Sequence, residues 1–115
     1  MPLARIQTSA ELAEDKKEEL LSAVSAALSE ATGKPETYVM VSLTTGPMLM
    51  GGKPGPAAFV DVKSIGGMDG PTNRNISEKF CAILGEKLGI AGDRVYLNFT
   101  DMASDSWGWN GSTFG

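Results

Sequence analysis

The sequence of 115 residues contains no histidine and a single cysteine, Cys81. Without histidine there is no Ser-His-Asp or Cys-His catalytic arrangement, no histidine general base and no histidine-ligated metal site. A lone cysteine excludes an internal disulfide framework, a CxxC redox pair and a zinc site of clustered thiolates within one chain. Any chemistry therefore has to come from carboxylates, lysine, arginine, tyrosine, backbone groups or the chain terminus.

Long apolar runs and excess positive charge are also missing. No apolar stretch is long enough to cross a bilayer, and the polar start MPLARIQTSAELAEDKK is unlike a secretory signal, so we expect a cytoplasmic protein, with signal-less secretion left open. The net charge of −4 and the pI of about 4.7 argue against a broad nucleic-acid surface. With 42% hydrophobic and 21% charged residues, the chain predicts one globular domain over 1–115.

Hydrophobic spacing divides the chain into two similar halves, each predicting a β-α-β unit. In chain order the predicted elements are a strand at 2–8, a helix ending at Gly33, a strand at 38–44, a strand at 57–65, a helix at 75–88 ending at Gly89, and a strand at 95–100. Two such units related by a pseudo-twofold predict an α+β fold, in which a four-stranded mixed sheet carries both helices on one face.

The helix starts are predicted from short polar motifs. Thr8 and Glu11 have the spacing of a capping box for the first helix, and Ser9 is the alternative N-cap. The segment GGMDGPTNRN, before the second helix, has the composition of a turn.

One face of the predicted sheet has no helix to cover it. In the second strand Val41 and Leu43 point to one side, whereas Tyr38 and Met40 point to the other. A sheet with two apolar faces needs cover on both. We therefore expect another copy of the chain on the free face, and the aromatic tail at 105–115 could lie across a neighbour's sheet edge.

Most candidate motifs favour ordinary structural roles. The segment Gly51-Gly52-Lys53-Pro54 lacks the spacing of a phosphate-binding loop. The acidic residues at 14–19 lie among lysines on a solvated helix face, and Cys81 falls in the apolar pattern of the second helix. None of the remaining aspartates has the spacing of a catalytic dyad.

Pro2 is different, because methionine before a small second residue is commonly removed. Removal of Met1 would leave Pro2 as an N-terminal secondary amine. An α-amino group has a pKa near ~8, below that of lysine, and burial lowers it further. Such an amine is a base at neutral pH without histidine. The alternative is that Pro2 merely begins an edge strand, where its missing N–H has no cost. Pro2 taken alone favours that alternative.

Several short motifs follow one another along the whole chain. They are Pro2, Ala31-Thr32-Gly33-Lys34-Pro35, Ser64-Ile65-Gly66, Asn73-Arg74, Asp93-Arg94-Val95-Tyr96-Leu97-Asn98, Asp101-Met102 and the tail Gly108-Trp109-Asn110-Gly111-Ser112-Thr113-Phe114. In this order they resemble the macrophage migration inhibitory factor family of the tautomerase superfamily. With this resemblance, the catalytic interpretation of Pro2 is favoured over the edge-strand alternative.

The resemblance implies a homotrimer whose three sheets form a central barrel, with active sites between subunits. It also implies an isomerase: a keto–enol tautomerase that acts on phenylpyruvate-like α-keto acids and on dopachrome-type substrates without a cofactor or metal. The alternative is a cytokine-like signalling ligand that binds a receptor, as animal members of the family do. Nothing in the sequence identifies a receptor surface, and no nucleic-acid or membrane partner is expected.

Family roles are carried over to matching positions only. By resemblance, Pro2 corresponds to the catalytic base, and Lys34 and the backbone of Ile65 correspond to substrate-binding groups. Tyr96 and Asn98 correspond to pocket residues that the adjacent subunit supplies. The further pocket-lining positions by resemblance are Tyr38, Ser64, Trp107, Trp109 and Phe114. Without the resemblance, Tyr96 and Asn98 are interpreted as part of an ordinary polar face of the sheet. Lys34 is then interpreted as a positive charge that compensates the negative end of the helix dipole.

The chain departs from the family pattern in two places. Some members carry a CxxC pair where this chain has Ala57 to Val60, so thiol–disulfide oxidoreductase activity is not expected. Trp107 stands where a smaller aliphatic residue is expected. A large indole there would narrow the pocket, which makes dopachrome turnover less expected than phenylpyruvate turnover.

Overall fold

A computed structural model describes all residues from 1 to 115 and shows four main strands and two long helices. In chain order they are β1 (Leu3–Thr8), α1 (Glu14–Thr32), β2 (Met40–Thr45), β3 (Ala58–Ile65), α2 (Gly70–Leu88) and β4 (Val95–Met102). The tail forms a small hairpin of β5 (Gly108–Trp109) and β6 (Ser112–Thr113). The order of elements predicted from hydrophobic spacing is thus confirmed.

The sheet has the order β2-β1-β3-β4. β1 runs parallel to β2 and antiparallel to β3, and β3 runs parallel to β4. Each parallel pair is joined through a helix, and α1 and α2 pack against each other on one face of the sheet. This confirms the two β-α-β units and the mixed sheet. Both β-α-β units meet where the central strands β1 and β3 pair.

The hydrophobic core lies between the sheet and the two helices. Along β3 the residues Ala58, Val60 and Val62 are buried, whereas the residues between them are partly exposed. The helices contribute residues spaced by four positions: Leu20, Val24 and Leu28 from α1, and Ile76, Phe80 and Leu84 from α2. Burial of each large apolar side chain stabilises the fold by roughly 1.5–3 kcal/mol.

The start of α1 differs from the prediction. The N-cap is Ala13, which makes no side-chain hydrogen bond to the helix, so neither Thr8 nor Ser9 is the cap. Thr8 is instead buried at the end of β1, where its hydroxyl donates to the Ala57 carbonyl at 2.7 Å and accepts from the Ala10 amide at 3.1 Å. The predicted capping box is wrong because the Thr8 hydroxyl hydrogen-bonds to Ala57, just before β3, and does not cap α1.

α2 begins five residues before the predicted start, inside the segment that was expected to be a turn. Asp69 is the N-cap, and its Oδ1 accepts from the Thr72 amide at 2.8 Å. This hydrogen bond holds the pKa of Asp69 below its usual value. Pro71 lies in the first turn, where its missing N–H needs no partner. Asp-Gly-Pro therefore starts a helix here.

β2 also begins later than predicted, at Met40. Tyr38 ends a short 3-10 turn over Glu36–Tyr38, and its side chain is 43% exposed. Tyr38 is therefore wrongly placed by the strand prediction, because Pro35 and this turn separate the end of α1 from the sheet.

The face of the sheet opposite the helices is apolar only at its margins. Its centre is charged, because Lys63 Nζ lies 2.7 Å and Arg5 3.8 Å from the Asp61 carboxylate. Met40 and Tyr96 are each 66% exposed on the outer strands. The expectation of a uniformly apolar second face is wrong for the middle of β1 and β3, where Arg5, Asp61 and Lys63 alternate with the core residues. Neither helix combines the length and the apolar character needed to cross a membrane.

Candidate active site

Pro2 lies inside the sheet and not at its edge. It immediately precedes β1, which is flanked by β2 and β3, and its ring is fully buried. The Pro2 carbonyl accepts from the Met40 amide at 3.0 Å, which joins this residue to β2. The edge-strand alternative is therefore wrong. Proline is tolerated at this central position because it stands before the first paired residue of the strand.

A cavity of about 420 Å³ lies beside Pro2. Apolar and aromatic side chains dominate its lining, which includes Met1, Pro2, Leu3, Tyr38, Met40, Trp107, Trp109 and Phe114. Ring centroids of Trp109 and Phe114 are 5.6 Å apart in a stacked arrangement. Tyr38 meets Trp109 at 6.0 Å and Phe114 at 6.4 Å, edge to face. Four of the predicted pocket residues therefore surround one cavity together with Pro2.

The tail hairpin brings these aromatic residues to the cavity. Its turn is Asn110-Gly111, and both residues have positive φ, 51° and 79°. This is the backbone of a two-residue hairpin loop in which Asn-Gly is strongly preferred. The Phe114 amide donates to the Trp107 carbonyl at 3.2 Å, which closes the hairpin against the half-buried Trp107. In this chain the tail packs on its own Tyr38.

Lys34 is held between the end of α1 and the end of β3. Gly33 ends α1 in the left-handed conformation, φ 68°, and Lys34 follows directly. The Ser29 hydroxyl donates to the Lys34 carbonyl at 2.6 Å, and Lys34 Nζ donates to the carbonyl of Ile65. The structure thus joins the two residues predicted to bind substrate. Burial, and then the charge of Lys34, lower the pKa of the Met1 α-amino group, so the lysine acts electrostatically on the N-terminus.

The turn after Ile65 is fixed by a residue of β4. The Gly66 amide donates to Asp101 Oδ1 at 2.7 Å. Ser64, just before Ile65, is completely buried on the helix-facing side of β3, and its hydroxyl has no hydrogen-bond partner. Ser64 does not line the aromatic cavity.

Tyr96 and Asn98 are not brought to Pro2 within one chain. The register pairs Leu3 with Lys63 and Lys63 with Thr100, whereas Tyr96 pairs with Phe59 at the other end of the sheet. At ~3.3 Å per residue, Tyr96 lies roughly 13 Å along the strand from the level of Leu3. Tyr96 and Asn98 are exposed on the face without helices.

Two features of the site were missed in the sequence. Met40 lines the cavity, although its position offered only strand periodicity. Asn110-Gly111 was a detectable signal, because this dipeptide between short β-prone segments is typical of a hairpin.

No cluster of three or more metal-ligating side chains occurs. Burial raises the pKa of the Cys81 thiol, which is a property of a structural cysteine and not of a nucleophile.

Comparison with known proteins gives consistent matches along the chain. The sequence profile described as "Macrophage migration inhibitory factor (MIF)" matches residues 1–115. Macrophage migration inhibitory factor from Rattus norvegicus is 41% identical over 98 residues, covering 84% of this chain and 85% of the relative. The homolog from Trichinella spiralis is 39% identical over 115 residues, covering 99% and 100%.

Solved structures show the same similarity. The macrophage migration inhibitory factor-like protein from Entamoeba histolytica superposes with a TM-score of 0.95 at 40% identity, covering 98% of both chains. The homologue from Prochlorococcus marinus has a TM-score of 0.93 at 45% identity, covering 98% of this chain and 99% of the other.

Proposed function

Because the chain belongs to the macrophage migration inhibitory factor family, we propose that it is a keto–enol tautomerase whose catalytic base is the Pro2 nitrogen, freed by removal of Met1. The proposed substrates are phenylpyruvate-like α-keto acids, and no cofactor takes part. The observation that carries the proposal is the fully buried Pro2 beside an aromatic cavity, with Lys34 close to the same terminus.

The surroundings of Pro2 favour an unprotonated amine. A free α-amino group has a pKa near ~8, and both desolvation and a nearby positive charge disfavour its protonated form. Burial and Lys34 already lower the pKa of the Met1 amine in this position. The same two influences would act on a Pro2 amine, which lies deeper in the structure. Pro2 would then be an unprotonated base at neutral pH.

The substrate-binding groups fit an α-keto acid with an aromatic side chain. The ammonium of Lys34 offers a charge-assisted partner for the carboxylate. The ring would enter the cavity beside Tyr38, Trp109 and Phe114, where aromatic pairs contribute roughly 0.5–1.5 kcal/mol beyond area burial. A substrate held at both ends in this way would have the carbon next to its carbonyl near the Pro2 nitrogen.

In the proposed reaction the Pro2 lone pair takes a proton from that carbon. The electron pair of the broken C–H bond forms the enol double bond, and the carbonyl oxygen gains negative charge. A proton from solvent is added to this oxygen to give the enol, and the protonated Pro2 nitrogen then releases its proton to solvent. The reverse of these steps converts the enol into the ketone.

Phenylpyruvate is a better substrate candidate than dopachrome. Trp107 lines the cavity and its backbone is tied to Phe114, so its indole occupies space that a smaller aliphatic residue would leave open. A flexible phenyl ring attached through one methylene adapts to a narrowed cavity more easily than a fused bicyclic ring does.

The Pro2→Gly variant tests the proposal. Glycine keeps an N-terminal amine but lacks the ring that orients the nitrogen, so we expect phenylpyruvate turnover to fall on the order of 10²–10⁴-fold with the fold intact. Enol–keto conversion is followed by absorbance on protein whose N-terminal processing has been verified by mass spectrometry.

The matched control is the unprocessed protein, in which the Pro2 nitrogen belongs to an amide and has no basicity. Its phenylpyruvate turnover should be no higher than that of Pro2→Gly. Equal turnover by the processed wild type and Pro2→Gly would remove Pro2 from the mechanism.

A signalling role is the second candidate, and the names of the mammalian relatives favour it. A receptor that binds the processed wild type and Pro2→Gly with equal affinity, and that binds equally well when an α-keto acid fills the cavity, would support the signalling role as separate from catalysis.

A further inference from the structure

The structure contains two buried polar side chains, Thr8 and Ser64. The Thr8 hydroxyl makes two hydrogen bonds, to the Ala57 carbonyl and from the Ala10 amide. The Ser64 hydroxyl makes none. Buried polar groups in native proteins are nearly always hydrogen-bonded, so an unpartnered hydroxyl in the core calls for a physical reason.

The strand register places Ser64 beside Pro2. β1 and β3 are antiparallel, and their last pair at this end is Leu3 with Lys63. If this register continues by one residue in each strand, Pro2 lies opposite Ser64. Both are buried, as are Ala4 and Val62 two residues away, so both side chains lie on the helix-facing side. Directly opposed residues have Cβ atoms roughly 4.5–5.5 Å apart.

The Pro2 nitrogen cannot donate a hydrogen bond to Ser64 while Met1 is attached. With Met1 attached, this nitrogen belongs to a tertiary amide and has no N–H to donate. Removal of Met1 converts it into a secondary amine with one N–H and one lone pair. The partner that Ser64 lacks is thus created by the processing step that would also activate the base.

We propose that Ser64 Oγ accepts a hydrogen bond from the N–H of the processed Pro2 and thereby positions its lone pair. This inference rests on the proposed function. The lone pair then lies on the side of the nitrogen away from Ser64, free to take a proton. After proton transfer the nitrogen carries two N–H groups, and one of them still donates to Ser64. Ser64 is therefore a positioning residue that acts through Pro2.

The proposal predicts the direction of a pKa change. A hydrogen bond from a charged N–H is about twice as strong as one from a neutral N–H. Ser64 therefore stabilises the protonated amine more than the neutral one and raises the Pro2 pKa relative to a variant without the hydroxyl. Ser64→Ala should lower that pKa by roughly half a unit to one unit. Turnover should fall roughly three- to tenfold in kcat, with KM nearly unchanged, because Ser64 does not touch the substrate.

The decisive measurement is the pH titration of the Pro2 nitrogen by NMR in processed protein labelled with 15N-proline. The wild type, Ser64→Ala and Ser64→Cys are compared, and the cysteine keeps the volume but is a weak acceptor. Thr8→Val is the matched control, because it removes the other buried hydroxyl of this sheet face. Thr8→Val should lower stability and leave the Pro2 pKa unchanged.

A purely structural serine would give a different result. In that case the Pro2 pKa in either Ser64 variant would equal that of the wild type, and the proposal would be overturned. The titration needs no substrate, so a protein without tautomerase activity would contradict the proposed function while the Ser64–Pro2 contact would still be measured.

Discussion

Lys34 owes its position to the end of α1. The left-handed Gly33 turns the chain so that Lys34 leaves the helix axis, and the Ser29 hydroxyl fixes the Lys34 carbonyl at 2.6 Å. Its ammonium then reaches the Ile65 carbonyl at the end of β3. The positive charge of Lys34 can compensate the negative end of the α1 dipole and also attract a substrate carboxylate, so the two roles are compatible. α1 has no basic residue in its last turn, so Lys34 is the first cation along the chain beyond that end.

Lys34→Ala should weaken substrate binding more than catalysis. A hydrogen bond to a charged group contributes roughly 1.5–3 kcal/mol, so we expect KM for phenylpyruvate to rise about ten- to hundredfold. Steady-state kinetics over a range of substrate concentrations separates KM from kcat. Lys16→Ala is the control, since Lys16 lies in the first turn of the same helix and pairs with Glu19. A KM for Lys34→Ala within twofold of the wild-type value would exclude Lys34 from carboxylate binding.

Both long helices end at a glycine in the left-handed conformation. Gly33 and Gly89 adopt φ of 68° and 67°, and their amides donate back to Ser29 and Gly85 in the last helical turn. Open space surrounds both positions, so the backbone conformation alone selects glycine there. Gly85 is different, because it lies within α2 and a Cβ at that position would meet only the Ile90 carbonyl, at an ordinary contact distance of 3.5 Å.

Alanine at the two glycines of α2 should have opposite effects on stability. Gly89→Ala forces a side chain into the left-handed region and should lower the free energy of unfolding by about 1–2 kcal/mol. Gly85→Ala lies in regular helix and should raise it by roughly 0.5–1 kcal/mol. Urea unfolding at equilibrium measures both. A stabilised Gly89→Ala would show that the end of α2 is not fixed by this left-handed residue.

One chain does not bring together all the residues that the family resemblance assigns to the site. Tyr96 and Asn98 lie toward the far end of β4, on the face without helices, and both are exposed. That face also presents Met40 at its margin. We propose that three copies assemble with this face inward and that each site takes Pro2 from one subunit and Asn98 from its neighbour. The assembly would have three times the 12.1 kDa mass of the chain.

Mixed assemblies test the shared site. Pro2→Gly and Asn98→Ala trimers, each of low activity, are dissociated, mixed in equal amounts and reassembled. Random mixing gives about a quarter of sites an intact Pro2 beside an intact Asn98, so activity should reappear in that proportion. The same two proteins mixed without dissociation serve as the control, and native mass spectrometry reports the subunit composition. If the reassembled mixture were no more active than this control, the site would not be shared between subunits.

The two β-α-β units could be predicted without a structure, because apolar residues recur with helical and strand periods and Gly33 and Gly89 end the helices. It also predicted Tyr38, Trp107, Trp109 and Phe114 as pocket residues, through the family resemblance. Local signals misplaced the start of each helix, because Thr8 makes a contact 49 residues away and Asp69 caps a turn-like segment.

The position of Pro2 within the sheet could not be predicted from local sequence patterns. The periodicity of 2–8 is the same for an edge strand and a central strand, and strand order comes from long-range pairing that no local pattern contains. Pairing with β2 on one side and β3 on the other buries Pro2 and sets it opposite Ser64. Burial is a property of neighbours distant in the chain, so the environment that would make this nitrogen a base arises from the packed sheet.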